Sequence, residues 1–270
     1  VLNVLLPPTA APPAGRRHRA RLASALRETA LVLALFGLYN LGRLVATSRL
    51  DGADEHARAL LDVQATLRLP SEAAVQERAL AVPHLIGLAD HYYLLHFPLT
   101  IGVLVWLYVR HRPGYLWARR SLALATGVAM LVHIWLPTTP PRLLAGLGMV
   151  DTGRVGGNSA YVGTPVSELA NEYAAMPSLH VGWAVLLAVV LVQVGRSRWR
   201  WLWVLHPLTT LLVVVVTANH YWLDAAVGTA LVLGALALIA RVRVPGGFYA
   251  ARLGRGGGGP ARRCSRAEAG

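Results

Sequence analysis

The strongest constraint on this chain is that its apolar residues fall in six blocks of membrane-spanning length, at about 29–47, 93–109, 121–136, 178–194, 201–217 and 221–240. A bilayer interior offers no water to unpaired backbone groups, so blocks of this kind cross it as helices. The expected fold class is therefore all-α, a polytopic membrane protein built as a six-transmembrane-helix bundle. Between 48 and 82 the pattern changes. Leu60, Leu61, Val63, Leu67 and Leu69 sit among Arg58, Asp62, Gln64 and Arg68, which predicts a short amphipathic helix on the outer membrane face. Pro70-Ser71-Glu72 then reads as a break and a fresh helix start. No small-residue cleavage site follows the first block, so it is read as an uncleaved span. The expected division is a basic cytoplasmic segment over 1–27, a membrane domain over 28–243, and a disordered, Gly- and Arg-rich cytoplasmic tail over 244–270. Arg43, in the far half of the first span, is expected to snorkel to the interface.

The net charge of +13 comes entirely from 26 Arg, with no Lys in the chain. By this division the N-terminus, the two turns at 110–120 and 196–200, and the tail hold 19 Arg and two carboxylates. The opposite side holds seven Arg and eleven carboxylates. The positive-inside rule then places both termini in the cytoplasm and the loops 48–92 and 137–177 outside, in a cell-membrane protein. Because the basic residues flank spans and no nucleic-acid motif accompanies them, a nucleic-acid partner is excluded. Cys264 is the only cysteine, so no intrachain disulfide or Cys-based metal site can form.

Three stretches carry chemistry, and all fall on the outer face. In Met176-Pro177-Ser178-Leu179-His180, Pro177 suits the first helical position and Met176 has no capping oxygen. The free N–H groups and the helix dipole would then be open to an anion, with Ser178 and His180 in the same turn. In Asn219-His220-Tyr221-Trp222-Leu223-Asp224, His220 and Asp224 are four apart and can meet on one helix face. Asp224 is the only carboxylate between Glu172 and Glu268, just inside a long apolar helix, where an ionisable group points to function. A carboxylate behind an imidazole fixes its tautomer. Two histidines at one depth can divide the roles of nucleophile and general acid in phosphoryl transfer. Thr138-Thr139-Pro140-Pro141-Arg142 leaves the third span at the same face, with Arg142 placed to grip a phosphate. On the residues alone, a structural His220–Asp224 pair and a headgroup-facing Arg142 remain open.

Other residues are weighed beside these. His91, Tyr92, Tyr93 and His96 lie near the second span's outer end, with both Tyr read as interfacial. His96, His133 and Asn219 are candidates for the acceptor side or for supporting the site, and His133 is read first as a bonded, buried histidine. Trp199, Trp201 and Trp203 read as a cytoplasmic aromatic belt, and Gly182, Ala184, Ala188, Gly228 and Gly234 as small residues that let helices approach. There is no convincing metal-ligand cluster, and no cofactor is expected.

Pro177-Ser178-Leu179-His180 followed by His220-x-x-x-Asp224, after a Pro-Pro-Arg loop, resembles the type 2 phosphatidic acid phosphatase superfamily, over roughly residues 28–240. Within it, Ala-Ala-Met-Pro-Ser-Leu-His-Val-Gly-Trp-Ala and Asn-His-Tyr-Trp-Leu-Asp are more similar to the inositol phosphorylceramide synthase (aureobasidin-resistance) branch. The resemblance implies that His220 is the nucleophile and forms a phosphohistidine. It implies that Asp224 orients and activates His220, and that His180 protonates the leaving oxygen. Ser178 and Arg142 would bind phosphate oxygens, and no metal is implied. Two of that superfamily's phosphate-binding cations are missing: there is no Lys, and Val214 stands where the third motif's Arg is expected. With less positive charge, the site should favour a phosphodiester monoanion over a phosphomonoester dianion. The expected activity is a lipid phosphotransferase moving an (inositol-)phosphate headgroup between lipids. Alternatives are a phosphatase acting on phosphatidate or polyprenyl (di)phosphate, and a non-enzymatic phospholipid-binding or transport protein. Transport is disfavoured because the ionisable groups cluster at one face. A bis-His haem protein is disfavoured by Asp224 beside one histidine. The expected partners are the membrane and a phospholipid or polyprenyl phosphate.

Overall fold

The computed structural model describes residues 14–155 and 173–242. Glu168, Asn171 and Glu172 of the expected outer loop, and the tail from 243 with Cys264, lie outside the described residues. The chain divides into two compact units, Val1–Leu41 and Gly42–Gly270. The first is helical from Ala14, and its helix α1 (Ala14–Thr47) runs on into the second. In the second follow α2 (Ala53–Thr66), α3 (Glu72–Leu80), α4 (Leu85–Arg110), α5 (Arg112–Trp135) and the short α6 (Thr152–Val155). Then come α7 (Leu179–Val194), a 3₁₀ segment (Arg198–Val204), α8 (Leu205–Val216) and α9 (Trp222–Arg241). No strand forms among the described residues; a single parallel bridge joins Thr138 to Ala174.

Four helical stretches are long and apolar enough to cross a membrane: Leu22–Thr47, Leu85–Arg110, Arg198–Val216 and Trp222–Arg241. The other two expected spans differ for identifiable reasons. Helix α5 starts nine residues before the expected 121, because Pro113 fits its first turn and His111 caps it by accepting from Gly114 N–H at 3.0 Å. It therefore takes in Arg112, Arg119 and Arg120. Helix α7 is apolar but only 16 residues long. Leu95, Val109 and Leu205 are 62%, 71% and 56% exposed, an outward apolar surface that only lipid would favour. The chain is a helical membrane protein. Arg43 departs from expectation: it is buried, 5% exposed, and does not snorkel.

Helix α7 is the axis of the core, with Leu186, Leu187 and Val190 packed among Leu107 of α4, Ala118 and Ala125 of α5, and Val232 and Leu236 of α9. At its start the packing becomes backbone against backbone. A methyl on Gly182 would meet the Gly228 carbonyl oxygen at 3.1 Å, and one on Gly228 would fall on the Ser178 carbonyl oxygen. Ser178 N–H donates to the Asp224 carbonyl at 2.9 Å across the same contact. Ala184 and Ala188 are buried as expected, but a methyl on Gly234 would meet no neighbouring element within 4 Å among the described residues, so Gly234 takes no part.

This contact makes a prediction. Gly228→Ala should cost about 1–3 kcal/mol through overpacking and lower the melting temperature of the detergent-solubilised protein. Gly234→Ala should leave it unchanged, and equal melting temperatures for the two would show that the contact is not limiting.

Candidate active site

The approach to α7 is built differently from the sequence expectation. Ser178, not Met176, is the N-cap: its backbone is extended (φ −69°, ψ 108°) and its Oγ accepts from Val181 N–H at 3.4 Å. Pro177 therefore precedes the cap and is not the first helical residue, and the Met176–Pro177 peptide is cis. The Ser178 hydroxyl is buried and already occupied with its own helix. The approach is pinned from α5 and the loop after it. Thr138 N–H donates to the Tyr173 carbonyl at 3.0 Å, and Ala175 N–H to the Thr138 carbonyl at 3.3 Å. His133 is buried and bonded, its Nε2 3.4 Å from the Pro177 carbonyl.

The second stretch turns sharply out of α8. Ala218 takes a left-handed φ of 56°, and the N–H groups of Asn219 and His220 both reach the Val214 carbonyl, at 2.9 and 3.1 Å. That turn leaves His220 outside α9, whose N-cap is Tyr221. His220 and Asp224 still meet, Nδ1 to Oδ2 at 3.5 Å, but not as two residues on one helix face. The shorter contact of Nδ1 is the Ala175 carbonyl at 2.8 Å. Asp224 Oδ2 instead accepts from Tyr221 N–H at 2.8 Å, closing a capping box. A carbonyl oxygen can only accept, so Nδ1 carries the proton and Nε2 presents its lone pair. That Nε2 lies 3.4 Å from His180 Nδ1. Burial pushes the His220 imidazole far below its ordinary value, to about 4; the Ala175 carbonyl acts the other way, and the Arg142 charge adds to the lowering. At neutral pH His220 is an uncharged imidazole with one available lone pair.

Arg142 joins this turn through two bonds: its N–H donates to the Ala218 carbonyl at 3.0 Å, and its guanidinium to Asn219 Oδ1 at 2.7 Å. Asn219 in turn donates to Thr217 Oγ1 at 2.8 Å, so it positions Arg142. The Arg142 guanidinium also pairs with Asp151, Nε to Oδ2 at 3.4 Å. Val214, where a further cation would be expected, is wholly buried against Val181 and Ala225.

Around His180 the structure revises the reading of α4. Tyr93 stacks on the His180 ring with centroids 4.5 Å apart, and so belongs to the site rather than to an interface. Tyr92 donates or accepts at Thr210 Oγ1 (3.0 Å) and meets His206 Nδ1 at 2.6 Å. His96 lies between the His180 and His206 rings, at centroid distances of 5.5 and 5.4 Å. It is 3% exposed, and neither ring nitrogen has a hydrogen-bond partner among the described residues. His91 does not join them; it is exposed and bonded to its own helix at Gly87. Among the described residues no group of three or more His, Cys, Asp or Glu is arranged to hold a metal.

Two residues not assigned to the site from the sequence, Gln64 and Glu72, help hold the start of α9. Tyr221, Trp222 and Leu223 begin that helix region with N–H groups that have no backbone partner within it. Asp224 takes the first, Glu72 Oε1 accepts from Trp222 at 3.2 Å, and Gln64 Oε1 from Leu223 at 3.0 Å. Gln64 also donates to Glu72 at 2.7 Å. Gln76, on the next turn of α3, binds Val150 and the Val216 carbonyl at the end of α8. The amphipathic helix α2 thus turns Ala53, Ala57, Leu60 and Gln64 onto protein, while Val63, Leu67 and Leu69 stay exposed. The available signal was Gln64 itself, a polar residue in register with an otherwise apolar stripe. Glu72→Ala should strand buried donors at about 1–3 kcal/mol and lower the melting temperature. Glu72→Gln, which keeps the acceptor, should largely restore it; equal losses in the two would refute the cap.

The comparisons with known proteins come down to one family. The model of the PAP2 superfamily matches residues 58–238, which runs from within α2 to within α9 and takes in His180, His220, Asp224, Ser178 and Arg142. No curated protein and no solved structure gives a match. On that match, which covers more than half of the chain and ends within α9, this helical membrane protein belongs to the PAP2 superfamily, a family of membrane phosphatases and phosphotransferases.

Proposed function

We propose that the protein is a membrane lipid phosphotransferase that moves a headgroup phosphate from a phospholipid to a lipid hydroxyl through a phosphohistidine on His220. The observation that carries this is the pairing of His220 and His180. One imidazole has Nδ1 tied to a backbone carbonyl and Nε2 facing, at 3.4 Å, a ring nitrogen of the other. In the first step Nε2 of His220 attacks phosphorus, the phosphorus–oxygen bond to the donor lipid breaks, and His180 gives its proton to the departing oxygen. In the second, the acceptor hydroxyl attacks phosphorus, His180 takes its proton, and the phosphorus–nitrogen bond breaks. Asp224 assists in orienting His220, sharing Nδ1 with Ala175 at the longer distance. Arg142 neutralises a phosphate oxygen, and the backbone around the Ser178 cap supplies further donors.

Transfer is favoured over hydrolysis by the charge of the site. The one buried Arg of the phosphate loop is already paired with Asp151, and Val214 replaces a second cation. The similarity of the 174–184 and 219–224 stretches to the inositol phosphorylceramide synthase branch points to an inositol phosphate headgroup. His96, next to His180 with both ring nitrogens unpaired among the described residues, suits an acceptor hydroxyl, while His133 and Asn219 serve as supports.

The same reading includes six crossings, with α5 and the shorter α7 joining the four long apolar stretches. Both termini are cytoplasmic, the domain spans 28–243, and α2 with α3 and the site lie on the outer face of the cell membrane. The Arg-rich Trp199–Trp203 region then faces the cytoplasm.

Purified protein given radiolabelled phosphatidylinositol, phosphatidate or polyprenyl diphosphate, with and without lipid alcohols, should form an acid-labile phosphoprotein and transfer label to the alcohol. His220→Ala should abolish the label, and label that survives it would sink the nucleophile assignment. Release of inorganic phosphate regardless of acceptor would establish a phosphatase instead. Because His220 stays neutral below its ordinary range, labelling should persist at about pH 5.5, where an unperturbed imidazole is mostly charged; a loss centred near pH 6.5 would contradict the burial argument. A reporter inserted after Asp151 should be accessible from outside intact cells, and a cytoplasmic signal would invert the topology.

A further inference from the structure

The proposed transfer leaves open how a site with so little positive charge chooses its phosphate. Arg142 is 3% exposed and meets Asp151 at 3.4 Å through Nε. Arg154, 55% exposed, meets the same Oδ2 at the same distance, and its N–H donates to Asp151 Oδ1 at 3.2 Å. One carboxylate, itself 15% exposed, therefore holds two guanidinium groups. Arg142 is fixed to the catalytic turn through Asn219 and Ala218, so Asp151 stands next to the phosphate-binding cation and not in a remote surface pair.

We propose that Asp151 is a specificity-determining residue that cancels the Arg142 charge, so that the pocket accepts a singly charged phosphodiester and discriminates against a doubly charged phosphomonoester. This rests on the phosphotransfer reading above and names the substrate class it requires. With no Lys in the chain and Val214 buried as apolar core, the further cation that the described residues place on Asp151 is Arg154, whose exposure leaves it screened by solvent. A monoanion needs one compensating charge, which Arg142 can supply by exchanging Asp151 for the phosphate oxygen. A dianion needs two, and it also meets the Asp151 carboxylate it displaces. Removing that carboxylate gives the dianion twice the electrostatic gain of the monoanion. Asp151 acts through Arg142, and is a positioning residue rather than a catalytic one.

The test compares one lipid in two charge states. Short-chain phosphatidate and its phosphate methyl ester would be titrated against the full-length protein in detergent, by binding and by turnover. Working at about pH 8 keeps the monoester doubly charged. Asp151→Asn, which keeps the oxygen that accepts from Arg154 N–H, should raise the monoester-to-diester ratio of affinity and of kcat/KM by about ten-fold or more. Asp151→Glu, which restores the charge, should return the ratio to the wild-type value. A purely structural clamp would depress both substrates together and leave the ratio unchanged, which overturns the proposal, as does a shift toward the diester. Failure of the phosphotransfer reading shows separately: wild-type protein would then bind these lipids without forming acid-labile phosphoprotein, while the binding ratios still report on Asp151.

Discussion

The site depends on two helices meeting without side chains between them. At the start of α7 and α9 the Ser178 carbonyl lies over Gly228, the Gly228 carbonyl over Gly182, and Ser178 N–H bonds to the Asp224 carbonyl. Lipid supplies no hydrophobic drive between helices, so close packing and backbone contact must hold them. This contact brings the residue two before α9 to the residue two after Ser178, and the two imidazoles face each other because of it. Any side chain at position 228 would separate them before it disturbed the chemistry directly.

The charge distribution follows a second constraint. The loop carrying Arg142 has to be held against a membrane helix bundle whose lipid face offers no polar partners. Polar side chains from α2 and α3 do this. Thr139 donates to Asp54, Gln76 ties Val150 to the end of α8, and Glu72 and Gln64 receive the opening N–H groups of α9. Those N–H groups are consequently taken by protein, and the α9 start has no backbone donor among these three to offer a ligand.

Much of this was legible in the sequence because the signals were periodic or local. Blocks of apolar residues located the long helices, Ser71 marked the start of α3, and the His180, His220 and Asp224 stretches were found by their polarity within apolar surroundings. What was not legible depends on backbone geometry or on distant partners. The cap at Ser178 in place of Met176 follows from an extended residue that pattern reading cannot see. Tyr93 looked interfacial because stacking on His180 is set by the packing of α4 against α7, 87 positions along the chain. Gln64 read as a polar position of an amphipathic helix and Glu72 as part of a helix start, because the N–H groups they accept from lie beyond position 220. Arg43 was judged by its place in a span, and burial decided otherwise.

The Ala175 carbonyl on His220 has a consequence of its own. It is supplied by the main chain, so no exchange of side chain at 175 deletes it, provided the bridge between Thr138 and Ala174 keeps the strand-like approach in place. The imidazole's tautomer is thereby insulated from mutation. Substitution can change the carboxylate at 224 or the cation at 142 while the same ring nitrogen of His220 keeps its lone pair.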